Sequence, residues 1–269
     1  MENSKYFTGK ELYGDNFSFE EIQKWYEEEQ EAYANLGSID RKIYSYPYHN
    51  NNRINAFRYF SDRKFKNALG IGSAYGDEYI PIAHQIQNIT ILEPSNNLYS
   101  DKIGDIIPKY IKPNTDGKID FEDNTFDLIT CFGVLHHIPN VSFVLNELIR
   151  VLTPDGVLLI KEPISTMGDW NVKREGLTKN ERGIPAHFFD EIFKKNNMVV
   201  YKKTFIDTLS VYKIVSKIFP VKQDSKGYVY FDNFISKMLS WNIRYHRTKN
   251  IEKLAPGGVF YIVKKTIIF

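Results

Sequence analysis

The segment Leu69-Gly70-Ile71-Gly72-Ser73-Ala74-Tyr75-Gly76 constrains the fold of this chain more than any other. It closes a short apolar run, Asn67–Ile71, and opens the stretch Asp77–Gln85, which reads as a helix. Glycine is needed in such a turn because a side chain would force unfavourable backbone angles or block the approach of a ligand. Strand-to-helix turns of this kind belong to α/β folds, and the residues that follow keep the rhythm. Apolar strands are expected at Ile89–Leu92, Phe126–Phe132, Gly156–Lys161, Met198–Phe205 and Gly258–Ile267. Helices are expected at Val141–Leu152 and at Pro185–Lys195, the second with proline in its first turn. Strands this short and this uniformly apolar predict a mainly parallel, doubly wound sheet covered on both faces.

The residues ahead of the sheet have another character. Ser18–Leu36 reads as a helix, with Ser18 and Glu21 at the spacing of a capping box. Phe19, Ile22, Trp25 and Tyr26 form its apolar stripe, Glu27, Glu28 and Glu29 a solvated face, and Gly37 its stop. A second helix is expected over Arg53–Arg63, with Ile54, Phe57 and Phe60 buried, after an aromatic loop from Tyr44 to His49. Residues 1–65 then form a helical cap and 66–206 the core, with an insertion at 207–254 and a last core strand in 255–269. Two segments interrupt the rhythm: the polar loop Pro163–Ile184 and the aromatic, lysine-rich stretch Asp207–Leu254. Segments of that length inside a compact domain tend to be functional.

Composition narrows the function classes. The chain has 269 residues, 42% hydrophobic and 25% charged, and a formal net charge of +2, which argues against an evenly basic nucleic-acid binder. A single cysteine, Cys131, removes both a disulfide framework and a cysteine-rich zinc site. There is no signal-peptide core at the N-terminus and no apolar run near the roughly 20 residues of a membrane span. A soluble, cytoplasmic protein with no membrane partner is expected.

A glycine-rich turn alone is weak evidence of function. Glu93 strengthens it, because it ends the next strand about 20 residues after the turn begins, where a carboxylate can accept from both ribose hydroxyls. Together they indicate a nucleoside-containing cofactor, and a nicotinamide nucleotide and S-adenosylmethionine both fit. Further on come Phe121-Glu122-Asp123-Asn124-Thr125-Phe126-Asp127, then His136-His137, then Glu147-Leu148-Ile149-Arg150-Val151-Leu152-Thr153-Pro154-Asp155-Gly156. From Ala68 to Lys161 this succession resembles the class I S-adenosylmethionine-dependent methyltransferases, in particular those acting on small molecules.

The resemblance implies a seven-stranded sheet whose last strand runs antiparallel between the fifth and sixth. It implies S-adenosylmethionine as cofactor, S-adenosylhomocysteine as product, and no metal. It puts the turn, with Gly70, Gly72, Ser73, Ala74 and Gly76, around the methionine part and ribose. Glu93 would hold the ribose, Pro94 would lie beside the adenine, and Asp116 and Gly117 would meet the adenine amino group. Cys131 and Phe132 would border the cofactor. Gly70 stands where the family has an acidic residue, and Ala74 replaces the middle glycine. The methionine amine then needs another partner, which an aromatic or acidic residue of the N-terminal cap could supply. Cap and insertion would build the acceptor pocket.

A hydroxyl acceptor must lose a proton, and His136 and His137, just past the fourth core strand, are candidate bases, with His187 a second choice. Lys173, Arg174, Lys179 and Arg182 suit a phosphate- or nucleotide-linked acceptor. The stretches Gly9–Asp15 and Arg174–Pro185 look similar to methyltransferases of bacterial surface-polysaccharide synthesis, which implies O-methylation of a sugar-phosphate or nucleotide-activated capsule precursor. Competing readings are a catalytically inactive cofactor-binding regulator, a nicotinamide oxidoreductase, and a methyltransferase on nucleic acid through Tyr212–Lys253. No Tyr-x-x-x-Lys pair or other hydride-transfer constellation supports the oxidoreductase.

Overall fold

One sheet organises the computed structural model, which describes residues 4–36, 41, 44–169 and 172–265. Its strands are β1 (Phe65–Ile71), β2 (Ile86–Leu92), β3 (Lys109–Ile111), β4 (Phe126–Phe132), β5 (Leu152–Pro163), β6 (Met198–Ile206) and β7 (Gly258–Lys265). Their order across the sheet is β3-β2-β1-β4-β5-β7-β6. Strands β1 to β5 pair in parallel, and β7 runs antiparallel to both β5 and β6, so the expected last strand lies where it was placed. Gly37, residues 170–171 of the polar loop and the final residues of the expected last strand lie outside the described residues.

The central strands are buried on both faces. Leu69 and Ile71 of β1 point into one core with Ile129, Cys131 and Leu158, while Ala68 joins the opposite core with Leu128, Val157 and Leu159. Helices α1 (Ser4–Phe7), α2 (Phe19–Leu36) and α3 (His49–Asn55) precede the sheet, α4 (Val141–Val151) follows β4, and α5 (Ala186–Lys195) precedes β6. The segment between β6 and β7 contributes α6 (Leu209–Ile218) and α7 (Lys226–Met238). On α4 the buried positions Val141, Val144, Leu145 and Leu148 recur at helical spacing and face the first core. Glu147 and Arg150 on the same helix hold the preceding loop: Arg150 donates to the carbonyls of Ile119 at 2.7 Å and Phe121 at 2.8 Å, and Ile119 N–H donates to Glu147 at 2.9 Å. No helix among the described residues is long and apolar enough to cross a membrane.

The capping box of α2 is formed, with Ser18 N–H donating to Glu21 at 2.7 Å and Glu21 N–H to Ser18 Oγ at 3.3 Å. Other expectations need correction. The helix over Arg53–Arg63 is instead α3, starting at His49, followed by a 3-10 turn at Phe57–Phe60, although Ile54, Phe57 and Phe60 are buried as expected. Asp77–Gln85 is a 3-10 helix, because Pro81 in its interior has no amide to donate. Strand β3, three residues long, was not foreseen. Glu29 does not lie on a solvated face. It is 4% exposed and belongs to the buried side of α2.

Candidate active site

The carboxyl ends of β2, β1 and β4 open into a cavity of about 220 Å³, roofed by Tyr26 and Glu29 of α2. Clefts at this edge are where open α/β sheets bind ligands. The glycine turn after β1 supplies Gly72 and Ala74, β2 and its loop supply Leu92, Glu93 and Pro94, and the loop after β4 supplies Gly133, Val134 and His137. Asn114, Gly117 and Ile119 close the end beyond β3.

The turn is held in an exacting conformation. Gly72 has φ +56°, and a Cβ there would come within 2.8 Å of Val134, so only glycine fits. Ala74 takes the left-handed region at φ +46° without being glycine. Hydrogen bonds fix it from both sides: its N–H donates to Glu93 Oε2 at 3.0 Å, and its carbonyl accepts from Tyr110 at 3.0 Å. Glu93, 3% exposed, also accepts from Ser95 N–H at 3.0 Å. Burial pushes its carboxyl up, and the two backbone donors pull it back.

Gly70 has a steric reason. A Cβ at this position would lie 2.3 Å from Ser73 Oγ and 3.1 Å from the Tyr79 hydroxyl, so an acidic side chain has no room. That space holds a buried polar network instead. Glu78 accepts from Ser73 Oγ at 3.0 Å and Thr130 Oγ1 at 2.5 Å, and Thr130 pairs with the Tyr79 hydroxyl. Burial raises the Glu78 carboxyl to about 7, against the opposing pull of the two hydroxyls and of Lys161.

The two adjacent histidines are each tied to a carboxylate. His136 Nδ1 is 2.7 Å from Glu162 Oε2, and Glu162 Oε1 accepts from the N–H groups of Val134 and Leu135 at 2.8 Å. His137 Nδ1 is 2.9 Å from Glu29 Oε2. Burial lowers the His137 pKa, neighbouring His136 lowers it further, and Glu29 opposes both. His137 lines the cavity and His136 stands behind it. His136, His137 and Glu181 offer ligand-type atoms within 4.8 Å of one another, and they are the nearest approach to a metal-ligand set among the described residues.

Of the residues singled out from the sequence, Gly72, Ala74, Glu93, Pro94, Gly117 and His137 come together on this cavity. Ser73 turns away to Glu78, and Gly76 packs on Ile103. The Asp116 carboxylate accepts from Lys118 N–H, while its carbonyl accepts from Asn140. Cys131 is fully buried in one core, and Phe132 packs against Phe57 and Phe260 in the other. His187 is exposed on α5, outside the cavity.

Three of the four basic residues of the polar loop are spent internally. Arg182 is fully buried and donates to the carbonyls of Tyr13, Leu135, His136 and Pro139 at 2.9–3.2 Å. Arg174 donates to the carbonyls of Thr178 and Lys179, and exposed Lys179 pairs with Glu28 at 2.7 Å. None of these lines the cavity, and neither does any residue between Asp207 and Leu254. The sequence reading missed Tyr26, Glu29 and Asn114. For Glu29 a signal existed, because Ile22, Trp25, Tyr26 and Glu29 fall at i, i+3, i+4 and i+7, so Glu29 extends the apolar stripe.

Comparison with known proteins agrees with this geometry. Two family models, each described as a methyltransferase domain, match residues 69–160 and 115–224. An uncharacterised protein of Methanocaldococcus jannaschii, MJ0638, is 32% identical over 120 residues, covering 38% of this chain. The chain spans about half (52%) of the length of that curated relative. Among solved structures, the N-methyltransferase NodS of Bradyrhizobium japonicum, in complex with S-adenosylhomocysteine, aligns over 90% of this chain and 97% of its own. Its TM-score is 0.51 at 12% identity. A phosphoethanolamine N-methyltransferase 2 of Haemonchus contortus aligns over 81% of this chain and 53% of its own, with TM-score 0.54 at 16% identity. The [4+2]-cyclase SpnF aligns over 81% of both chains, with TM-score 0.50 at 12% identity. At such identities the likeness is one of fold.

Proposed function

The core of this chain is a class I S-adenosylmethionine-dependent methyltransferase domain, and from that premise we propose that the protein transfers a methyl group from S-adenosylmethionine to a hydroxyl of a small acceptor. One observation carries the reading: Glu93, buried at the end of β2, is pinned by Ala74 and Ser95 beside the glycine turn, with its carboxylate on the cavity. A carboxylate there suits the paired hydroxyls of a ribose. The residues fit the cofactor, since Gly72, Ala74 and Gly133 line the cavity beside the Glu93 carboxylate, and Leu98, Ile119 and Val144 line it with apolar side chains that suit a base.

The cofactor supplies an electrophilic methyl, and the chain's residues bind and orient. Glu93 fixes the ribose, the glycine turn and Gly133 accept the cofactor's tail, and α2 keeps water from the cavity. His137 receives the acceptor's proton. With Nδ1 against the Glu29 carboxylate, its proton is held on that nitrogen and Nε2 is the basic one. Burial keeps the ring neutral near pH 7, as a base must be. A sugar phosphate or nucleotide-activated capsule precursor remains the proposed acceptor on the similarity of the Gly9–Asp15 and Arg174–Pro185 stretches. Arg174, Lys179 and Arg182 do not support it as phosphate ligands, because their donors are engaged with backbone carbonyls and Glu28.

Thermal unfolding with S-adenosylmethionine, S-adenosylhomocysteine, NAD and NADP tests the cofactor. Stabilisation by the first pair alone is expected, and stabilisation by the nicotinamide nucleotides alone would overturn the reading. Methyl transfer to a panel of nucleotide sugars and sugar phosphates, compared with amine acceptors, tests the rest. Turnover on amines only would replace O-methylation by N-methylation.

A further inference from the structure

The family's acidic residue at the end of β1 is missing here, and the chain has two buried carboxylates that could take its place. Glu78 occupies the space above Gly70, but its carboxyl serves the hydroxyls of Ser73 and Thr130 and does not line the cavity. Glu29 differs on each count. It lines the cavity, it is 4% exposed, and only its Oε2 is engaged, by His137 at 2.9 Å. Its Oε1 is fully buried with no hydrogen-bond partner among the described residues. A carboxylate oxygen left in that state is destabilising unless a ligand completes it.

The position of Glu29 selects which part of a ligand it meets. Glu93 stands at the end of β2 and Gly117 and Ile119 lie beyond β3, so on the cofactor assignment above ribose and base would occupy that side of the cavity. Glu29 reaches the cavity from the other side, joined to His137 in the loop after β4. Between these two sides lie Gly72 and Gly133, whose neighbouring strands β1 and β4 pair directly. With a ribose at Glu93, the part of the cofactor that would extend across β1 towards β4 is its amino-acid tail, which carries a primary ammonium.

We infer that Glu29, from the N-terminal helix, is the counter-ion of the α-ammonium group of the bound cofactor, accepting through Oε1 while Oε2 holds His137. The inference rests on the cofactor assignment above and adds to it the residue that replaces the missing motif acid. It makes α2 part of the cofactor site, and one carboxylate both anchors the tail and sets the orientation of His137.

Three adenosine ligands separate the possibilities by direct binding measurement. S-adenosylhomocysteine has the ammonium, 5′-(3-carboxypropylthio)adenosine lacks only that group, and 5′-methylthioadenosine lacks the whole tail. Glu29→Gln is expected to weaken S-adenosylhomocysteine at least tenfold and leave methylthioadenosine within about twofold. The wild type should prefer S-adenosylhomocysteine over the carboxypropyl compound, and Glu29→Gln should erase that preference. Glu29→Asp, which keeps the charge, should retain part of it and serves if the glutamine variant folds poorly. Equal losses for all three ligands, or an unchanged preference, would overturn the role of Glu29. A wild type that binds none of the three would instead overturn the cofactor assignment beneath it.

Discussion

The indole N–H of Trp25 donates to the carbonyl of His137 at 2.7 Å, linking α2 to the loop after β4 across 112 residues of sequence. The ring also packs against Tyr13 and Phe17 and lies under the Arg182 guanidinium, 5.0 Å from its carbon. Trp25→Phe would keep most of that packing and remove the donor. A loss of about 1 kcal/mol in stability is expected from denaturant unfolding, with weaker S-adenosylhomocysteine binding because α2 carries Glu29. Unaltered binding would separate the roof from the cofactor site.

Arg182 is a brace. Its guanidinium serves four carbonyls from two chain segments, and neither methionine nor lysine can replace that fork of donors. Arg182→Met and Arg182→Lys should each cost at least about 3 kcal/mol in denaturant unfolding, the lysine no less than half as much as methionine. A variant that folds as stably as the wild type and loses only acceptor affinity would return this residue to the acceptor.

Gly70→Asp restores the family's usual residue and is expected to harm the fold. The new Cβ would meet Ser73 Oγ at 2.3 Å and break into the Glu78–Thr130–Tyr79 network, at a cost of about 1–3 kcal/mol. Cofactor affinity should not improve. An affinity gain would show that the turn tolerates the acid and that its absence needs another cause.

Glu78 gives stability a pH dependence. It titrates near 4.5 when unfolded and near 7 when folded, so the native state holds its proton more tightly. Its contribution is full below pH 4.5 and is lost as pH rises through about 7, by roughly 3 kcal/mol if this group acts alone. Glu78→Gln should flatten that part of the curve and raise the melting temperature at pH 8 relative to wild type. Parallel curves for the two proteins would contradict the assignment.

Glu93→Ala should weaken S-adenosylhomocysteine by about 1–3 kcal/mol in calorimetric titration. The His137 ring, held below its usual 6.5 by burial, predicts that the acid limb of kcat/KM falls below pH 6.5. His137→Gln should abolish turnover on a hydroxyl acceptor while S-adenosylhomocysteine still binds.

The sheet was legible because its signals are local. Phe126–Phe132 is a strand-length run with only Asp127 and Thr130 polar, and it is β4 to the residue. The glycine turn and Glu93 were legible because backbone geometry and ribose chemistry restrict those positions to few residue types. Strand β3 was not, since three residues between prolines carry no periodicity. Proline in the interior of Asp77–Gln85 was a visible warning against an α-helix there. The charged residues were the hardest to place. Glu27-Glu28-Glu29 looks like one solvated run, yet each step turns about 100° around the helix, enough to carry the third from water into the cavity. Arg182 looked like its neighbours Arg174 and Lys179, because a charge pattern does not say whether a guanidinium faces solvent or a cluster of carbonyls.

The carbonyl of Tyr13 that Arg182 holds is made 169 residues before Arg182 itself. During synthesis the segment around Tyr13 therefore waits for the loop beyond β5 before this bond can form, although domains otherwise tend to settle from the N-terminus onward. Until then Trp25 can reach the loop after β4 and its neighbouring rings, but lacks the guanidinium that packs on its indole. A segment made before the sheet is thus completed only after most of the sheet's strands have been made.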